Sequence, residues 1–367
     1  MNTAKTCRVR TMHHSSIPGT QLLPALLALA IVSSPIQAAS PDVQAKIDTD
    51  KVVITVDGKL FTCYKFSQSQ KYPYFWPVMG PISGQSVTTE TSEPYPHHHS
   101  LFFGCDRVNG GNYWQDTNER GQILSQGPKI VESSGGKVVL SDECLWKQPD
   151  KEPILRDRRT IVIAAPSESL RFIDFQITLE PLTDIRILNT NHSLFSARVV
   201  PELAVNAGGT LINSEGNTGE KGTFNAASPW CDYSGTRNGV TEGIAILQHP
   251  SNRWYPCKWF TRDYGFFSPT PMNWLEGGQL DLPKGEKLTL SYRVIVHSGD
   301  SQQAGIPALF DAYKQTAKPP QSAAVPMEHI RVSQDGRGFV TETGSRFTPW
   351  GFNYDHDENG RLMEDYW

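Results

Sequence analysis

Once its first 38 residues are set aside, the sequence lacks any apolar run long enough to cross a membrane. A membrane-spanning helix needs roughly 20 apolar residues. The run Leu22–Val32 is shorter; it follows a basic start and leads to small residues at Ala38. That order is typical of a secretory signal peptide. We predict a signal peptide over 1–38 and export to the periplasm or the outside of the cell, with no membrane partner after cleavage; an uncleaved anchor is the alternative.

The sequence also lacks an excess of positive charge. Lys5, Arg8 and Arg10 lie in the predicted signal peptide, so 31 of the 34 basic residues remain against 38 acidic residues. Nucleic acids and anionic lipid surfaces are bound mainly through clustered Lys and Arg side chains. We therefore predict no nucleic-acid partner.

Cysteine is scarce, and its spacing matches no zinc-binding pattern. After the loss of Cys7 an odd number remains, so at least one thiol of a monomer is free, although export permits disulfide bonds in the others. We predict buried thiols with one or two bridges, no metal site and no cofactor. The remaining cysteines are Cys63, Cys105, Cys144, Cys231 and Cys257.

Helix-period patterns are almost absent between residues 45 and 300, whereas strand patterns recur throughout. In Arg171–Leu179 apolar and polar residues alternate, which indicates a strand with one buried face, and Thr160–Ala164 is its expected partner. A hairpin is predicted around the Asp57-Gly58 turn. Other predicted strands lie at 129–131, 138–140, 209–213, 243–247 and 287–297. This pattern predicts an all-β protein, a large antiparallel β-sandwich over 42–305.

The composition changes near the end of the chain. One helix is predicted at 306–317, followed by a proline-rich linker at 318–327. The segment Gly344–Tyr354 resembles the opening of (β/α)₈-barrel glycoside hydrolases, in which the first barrel strand ends in a Gly-x-Asn motif, here Gly351-Phe-Asn353. Catalytic residues of such barrels lie further on. The resemblance implies that 328–367 is a truncated barrel start, a short incomplete extension; a C-terminal hairpin docked on the sandwich is the alternative.

Three clusters of residues are candidates for chemistry, and the first contains three consecutive histidines. On an extended strand His97 and His99 would share one face and His98 would point to the other. Imidazole titrates near neutral pH, which suits proton transfer or metal ligation, but no second ligand pair has a metal-site spacing. We predict acid–base or substrate-binding roles for His97 and His98, with a metal site or a structural loop as alternatives. Asn109 and Trp114, which follow, are predicted to bind substrate.

The second cluster, Asn213–Gly219, runs from a predicted strand into a glycine-rich turn and holds one carboxylate, Glu215. A carboxylate in this position is suited to general acid or base catalysis. It is equally suited to accepting hydrogen bonds from the amides of the turn. We predict Glu215 as a catalytic residue, with the turn acceptor as the alternative.

The third cluster combines aromatic rings with polar side chains in loops rich in Gly and Pro. An aromatic ring covers the apolar face of a sugar, while polar groups bind its hydroxyls. Arg262 is suited to clamp a carboxylate or sulfate in two-pronged fashion. The alternative places the rings in the core and pairs Arg262 with Asp263 at the surface. Asp232 is predicted as catalytic, and the predicted substrate-binding residues of this cluster are Trp230, Tyr233, His249, Asn252, Trp259, Arg262 and Asp263.

Six motifs follow one another in order: Pro96-His-His-His-Ser-Leu, Val108-Asn-Gly, Asn213-Ser-Glu-Gly, Trp230-Cys-Asp-Tyr-Ser-Gly, His249-Pro-Ser-Asn and Arg262-Asp-Tyr-Gly. Through them, residues from about 45 to 300 resemble the bacterial PmoA-like family, often labelled methane oxygenase. The family pattern usually reads Pro-His-His-Arg-Ser, so His99 stands where arginine is common, which puts an anion-binding role there in doubt. The label itself conflicts with the strand pattern, since a particulate methane monooxygenase subunit is a bundle of membrane helices.

The resemblance instead implies a galactose-mutarotase-type supersandwich, whose members bind or transform sugars with histidine and carboxylate pairs. It implies that His97 or His98 transfers a proton, that Glu215 or Asp232 opposes it, and that Arg262 orients the sugar. We predict a secreted carbohydrate-active domain that acts on a saccharide ligand by hydrolysis, elimination or epimerisation. The alternatives are a non-catalytic carbohydrate-binding module of a split glycoside hydrolase and a metal-dependent oxidoreductase.

Overall fold

Antiparallel strands dominate the structure, a computed structural model that describes residues 41–115, 117–134, 136–316, 330–341 and 346–347. The predicted signal peptide, the predicted linker and the Gly351-Phe-Asn motif lie outside the described residues. Twenty-three strands are present among the described residues. They are β1 Val43–Asp48, β2 Lys51–Val56, β3 Lys59–Lys65, β4 Tyr74–Val78, β5 Leu101–Val108, β6 Gly111–Tyr113, β7 Gln122–Ser125, β8 Lys129–Ser134, β9 Lys137–Lys147, β10 Leu155–Ser167, β11 Leu170–Pro181, β12 Ile185–Leu188, β13 Ser193–Arg198, β14 Thr210–Asn213, β15 Trp230–Arg237, β16 Val240–Gln248, β17 Trp259–Arg262, β18 Phe266–Pro269, β19 Gln279–Leu282, β20 Leu288–Ser298, β21 Arg331–Val332, β22 Phe339–Val340 and β23 Arg346–Phe347.

The strands form two large sheets and one small one. The first sheet has 11 strands in the order β1-β2-β3-β4-β5-β13-β18-β17, with β6 and β12 paired to β5, and β19 paired to β12. The second has nine strands in the order β14-β15-β16-β20-β11-β10-β9-β7, with β8 paired to β9. The three-stranded sheet is β21-β22-β23.

Apolar side chains from the facing surfaces of the two large sheets form one core. Phe103 on β5 and Phe195 on β13 lie against Phe175 on β11, with ring centroids 6.2 Å and 4.8 Å away. Side chains alternate between the two faces of a strand, so each strand contributes every second residue to this core. The predicted all-β antiparallel sandwich is confirmed.

The predicted hairpins are also confirmed. β2 and β3 flank the Asp57-Gly58 turn, and β10 pairs with β11 along almost its whole length. Ile173, Phe175 and Ile177 are all buried, as the alternation predicts.

A buried polar network joins the two sheets. The Tyr64 hydroxyl on β3 donates to Asp142 Oδ2 on β9 at 2.7 Å. Arg159 Nη1 on β10 lies 3.3 Å from the same hydroxyl, and its Nε donates to Asp157 Oδ1 at 2.8 Å. Every member of this network has a partner, which is what a buried polar group requires.

Helices are few and short in the described residues. α1 spans Gly219–Thr223, and α2 spans Ile306–Tyr313, which is shorter than the predicted 306–317. Ile306, Phe310 and Tyr313 of α2 pack against β15, β16 and β20 on the outer face of the second sheet. No helix of the described part is long and apolar enough to cross a lipid bilayer.

The cysteines differ from the expectation. Cys63, Cys105, Cys144, Cys231 and Cys257 are all buried free thiols, so the one or two disulfide bonds allowed for are not formed. The buried location was predicted correctly. Burial raises the pKa of Cys257, as it does for the other four, and keeps these thiols protonated and unreactive.

Candidate active site

Four strands that lie side by side in the first sheet, β5, β13, β18 and β17, carry the candidate site. Phe103 and Phe195 point into the core, so the residues next to them in sequence point to the opposite face of this sheet. Loops that enter and leave the four strands cover that outer face. The outward-pointing side chains are Phe102, Asp106, Ser196, Arg198, Phe260, Arg262 and Phe266.

These strands and loops enclose an open pocket of about 270 Å³, which we call the histidine pocket. It combines imidazole, phenol, amide and guanidinium groups with apolar rings. Its lining residues are Tyr95, His97, His98, Gln115, Asn191, His192, Phe260, Arg262, Tyr264 and Phe266.

The tandem histidines lie in a turn before β5, not on a strand. The backbone N–H of His98 donates to Tyr95 O, and Ser100 has a left-handed backbone conformation with φ 57°. The expected alternation is therefore wrong: His97 and His98 line the same pocket. His99 packs away from it, stacked on Tyr74 with its Nδ1 2.9 Å from a backbone carbonyl.

His98 forms part of the pocket wall. Its ring stacks on Phe266 with centroids 4.3 Å apart and lies 5.3 Å from the ring of Tyr95. Burial, followed by the charges of His97 and Arg198, lowers the pKa of His98 to about 2. An imidazole that stays neutral can exchange hydrogen bonds with a ligand but cannot serve as a general acid at neutral pH.

His192, in the loop before β13, is paired with a buried carboxylate. Its Nδ1 lies 2.9 Å from Asp106 Oδ2, and Trp114 stacks on its ring at 5.7 Å. In the tautomer that carries its proton on Nδ1, the ring donates to this carboxylate and Nε2 is the nitrogen that can act as a base. Orientation of an imidazole by a carboxylate is the arrangement that hydrolytic triads use.

His97 and His192 face each other within the histidine pocket. Their ring centroids are 6.3 Å apart and the rings are nearly perpendicular, at 84°. Rings this close leave no room for a sugar between them, but both imidazoles can reach atoms of one molecule that lies against them in the pocket. The pair can therefore act as acid and base on a single substrate.

The opposite side of the pocket is built from β17 and the turn that follows it. Arg262 Nη1 donates to Glu220 Oε1 at 2.9 Å, and its guanidinium lies 4.1 Å over the ring of Phe260. The rings of Tyr264 and Tyr95 are 5.2 Å apart. Tyrosine rings next to a guanidinium are suited to hold a sugar by its apolar face and its hydroxyls.

The two predicted catalytic carboxylates lie elsewhere. Asp232 is fully buried on the outer face of the second sheet, where its Oδ2 lies 2.6 Å from His297 Nε2. Glu215 is exposed in the turn after β14 and accepts from Ser214 Oγ. Neither lines the histidine pocket, so the geometry does not support their predicted role as partners of the tandem histidines.

Three predicted sugar-binding aromatics are interior residues. Trp259 and Tyr233 point into the core, where Trp259 Nε1 donates to Ser228 O and the Tyr233 hydroxyl donates to Arg262 O. Trp230 packs beneath α2. These three side chains are buried and out of reach of a ligand. They fit the alternative interpretation, in which the rings of the third cluster pack in the interior.

The other predicted binding residues have structural contacts. His249 is buried against Tyr313, Asn252 bonds to the backbone of β20, and Asp263 Oδ1 accepts from the backbone N–H of Glu220. Asn109 links the β5–β6 turn to β12 and the residue before it: its Oδ1 accepts from the backbone N–H of Arg186, and its Nδ2 donates to Asp184 O. Trp114 is buried but supports His192 from behind, so it contributes to the site indirectly.

Sequence reasoning missed several pocket residues. His192 follows a polar run, Asn189-Thr-Asn, and that run between two strands is a signal of a functional loop. Asp106 is a carboxylate in a strand that is otherwise almost wholly buried, which is a second signal. Within the described residues no group of three His, Cys, Asp or Glu side chains has the arrangement of a metal site.

Residues 51–311 match a family described as a family of unknown function, DUF6807. No curated protein matches the chain. The match is to this family, and the resemblance to the PmoA-like family stays a prediction.

Several solved structures are similar at low identity. One is a protein assigned as an aldose 1-epimerase from Escherichia coli K12, with 12% identity, a TM-score of 0.28, and coverage of 71% of this chain and 99% of that one. A galactose mutarotase related enzyme from Lactobacillus acidophilus has 7% identity, a TM-score of 0.26, and coverage of 70% and 97%. A protein assigned as a kojibiose phosphorylase from the human microbiome has 8% identity, a TM-score of 0.30, and coverage of 76% and 37%. Likenesses at this level establish no function.

Proposed function

The chain belongs to the DUF6807 family, whose function is unknown, and from this premise we propose that its sandwich domain binds a saccharide in the histidine pocket and transfers protons on it. One observation carries the proposal. His97 and His192 flank the same open pocket with ring centroids 6.3 Å apart, and Asp106 orients His192.

In the proposed chemistry one imidazole acts as a base and the other as an acid. Nε2 of His192 takes a proton from a sugar hydroxyl or carbon, and Asp106 stabilises the imidazolium that results. His97 supplies a proton to a second atom of the same sugar. For epimerisation at the anomeric carbon, His192 takes the proton of the C1 hydroxyl, the bond from C1 to the ring oxygen breaks and His97 protonates that oxygen; the same steps in reverse close the ring on the other face of C1. For elimination from a sugar acid, His192 takes the proton of the carbon next to the carboxylate, the bond from the adjacent carbon to its oxygen substituent breaks, and His97 protonates the departing oxygen.

The composition of the pocket favours these reactions over hydrolysis. Most glycoside hydrolases place two carboxyl groups on either side of the scissile bond. Imidazoles occupy the corresponding positions here, and the nearby carboxylate of Asp106 is already bonded to His192.

Non-catalytic carbohydrate binding is the second candidate. Tyr95 is 40% exposed at the pocket, and Gln115 and Asn191 supply amide groups beside it. Rings and amides of this kind bind sugars without any chemistry. The third predicted function, a metal-dependent oxidoreductase, is tested by metal analysis of the purified protein, since it requires stoichiometric iron or copper.

The test uses His97→Gln, His192→Gln and Asp106→Asn, with Glu215→Gln as the matched control outside the pocket. The probes are D-glucose, D-galactose and their uronates. Proton NMR in deuterated water follows anomer interconversion and exchange of carbon-bound protons, and calorimetry follows binding. We expect each pocket variant to lose about 100-fold or more in rate while the control keeps the wild-type rate.

The outcomes separate the two candidates. Lost turnover with retained binding supports the enzyme. Binding that the pocket variants abolish, in a protein that turns over none of the probes, supports the binding module. Pocket variants that match the wild type in both measurements would contradict the proposed site.

Export is also proposed, on the basic, apolar and small-residue order of the first 38 residues. Fractionation of the producing cell and N-terminal sequencing of the mature protein test it. A mature protein that begins near residue 39, outside the cytoplasm, is the expected result.

A further inference from the structure

Arg198, at the end of β13, is a buried cation beside the histidine pocket. Its side chain points to the same outer face of the first sheet as the pocket, and the residue is 1% exposed. The guanidinium lies 4.3 Å over the ring of Tyr264, a pocket residue. It is close enough that its charge contributes to the lowered pKa of His98, a second pocket residue.

The hydrogen bonds of this guanidinium are incomplete. Nη2 donates to the backbone carbonyl of Glu93 at 3.2 Å, whereas Nε and Nη1 are buried without a partner. The neighbours that favour its charge are the phenols of Tyr264, Tyr233 and Tyr95, and no carboxylate of the described residues forms an ion pair with it. Buried charges in proteins are normally paired, because the desolvation of an unpaired charge is strongly unfavourable.

The other charged groups around the pocket have partners. Arg262 donates to Glu220, and Asp106 is bonded to His192. A partly buried arginine on the outer face of the second sheet, Arg293, is held by both oxygens of Asp174 at 2.6 Å and 2.7 Å. Among these groups Arg198 alone lacks a compensating charge.

We propose that the ligand of the histidine pocket supplies this missing charge, and that it is an acidic saccharide whose carboxylate lies on the Arg198 side of the pocket, as in a uronic acid. The inference rests on the proposed function and specifies its substrate class. A carboxylate that binds near Tyr95 and Tyr264 lies within the field of the guanidinium, which is stacked over the Tyr264 ring.

The experiment measures binding by calorimetry to D-galacturonate and D-galactose, to D-glucuronate and D-glucose, and to glycolate as a carboxylate without a sugar ring. The variant is Arg198→Met, which keeps the length and apolar bulk of the side chain. Arg293→Met is the control, because it also removes an arginine stacked over a tyrosine ring, here Tyr313 at 4.8 Å, but one that is partly buried and paired with a carboxylate. Thermal unfolding of each unliganded variant is recorded alongside.

We expect the wild type to bind each uronate about tenfold to 100-fold more tightly than its neutral sugar. Arg198→Met removes that preference and leaves neutral-sugar binding within about twofold, and Arg293→Met keeps the preference. The two variants are expected to differ in unfolding temperature. Arg198→Met unfolds at or above the wild-type temperature because no acid loses a partner, whereas Arg293→Met unfolds lower because Asp174 does.

The outcomes distinguish this inference from the proposed function. Equal binding of neutral and acidic sugars, unchanged by Arg198→Met, overturns the inference and leaves the saccharide site standing. Glycolate binding that depends on Arg198, without binding of any sugar, supports the anion subsite and rejects the saccharide. A protein that binds none of the probes rejects both. An Arg198→Met protein that unfolds well below the wild type shows that the arginine is structural and overturns the inference.

Discussion

At the scale of single residues, the role that each pocket histidine can take follows from what surrounds it. His98 is packed between Phe266 and Tyr95 and lies near Arg198, so protonation is opposed by burial and by positive charge together. His192 has a carboxylate at 2.9 Å and an exposed edge. The two neighbouring histidines therefore differ in role: His98 is a neutral side chain that lines the pocket, and His192 is the proposed base.

This difference predicts a pH dependence of stability. The pKa of His98 is lowered to about 2 in the folded protein, whereas an unfolded histidine titrates near 6.5. The unfolded state therefore gains a proton first as the pH falls, and stability that is complete above about pH 6.5 declines below it. Urea unfolding from pH 7 to pH 4 measures this loss of unfolding free energy. His98 alone contributes at most about 1.4 kcal/mol per pH unit to it.

His98→Gln is the comparison that isolates the effect, because glutamine keeps polar atoms and does not titrate. We expect the difference in unfolding free energy between the wild type and the variant to shift in favour of the variant as the pH falls. Parallel curves for the two proteins over this range would show that His98 is not held neutral by the fold.

Residue chemistry made part of the site predictable from the sequence. The tandem histidines and Arg262 stand out because imidazole and guanidinium groups are suited to proton transfer and to ligand binding, and His97, His98 and Arg262 all line the pocket. Asp106 and His192 were missed because they lie far apart in sequence and become a pair only where β5 and β13 are neighbours.

At the scale of elements, the alternation of side chains between the two faces of a strand decides which of them reach the site. On β17, Trp259 points into the core and Arg262 points to the pocket, three residues later. A one-residue slip would exchange these faces. The sequence showed that both residues belong to one segment, but the aromatic and the cation looked equally suited to bind a sugar until the inward face was known.

The contact between β3 and β9 predicts a stability effect. Tyr64→Phe removes the hydroxyl that donates to Asp142 and leaves a buried carboxylate with one fewer donor. Asp142 keeps its bond from Ser125 Oγ, so we expect a loss of about 1–3 kcal/mol in unfolding free energy. Chemical denaturation measures it.

Tyr292→Phe is the matched control, since Tyr292 is buried in the same core and donates no hydrogen bond to another described residue. Its unfolding free energy should stay within about 0.5 kcal/mol of the wild type. Similar losses in both variants would mean that the network between the sheets adds nothing beyond packing.

At the scale of the whole molecule, the two sheets separate groups that the sequence suggested would meet. The histidine pocket lies on the outer face of the first sheet, while Asp232 and His297 lie on the outer face of the second, with the core between them. The strand-rich character of the chain and the antiparallel pairing of its hairpins were predictable from alternation and turns, whereas many short strands, such as β12 and β13, were not. The sheet to which each strand belongs depends on long-range pairing such as β5 with β13, which local patterns do not encode.

The most direct test of the account is a crystal structure of the protein grown or soaked with D-galacturonate and, separately, D-galactose. The account predicts density for the sugar ring in the histidine pocket, in contact with both His97 and His192, with the Nε2 of His192 within hydrogen-bonding distance of a ring substituent. A sugar bound at another surface of the sandwich, with the histidine pocket filled only by water, would contradict it.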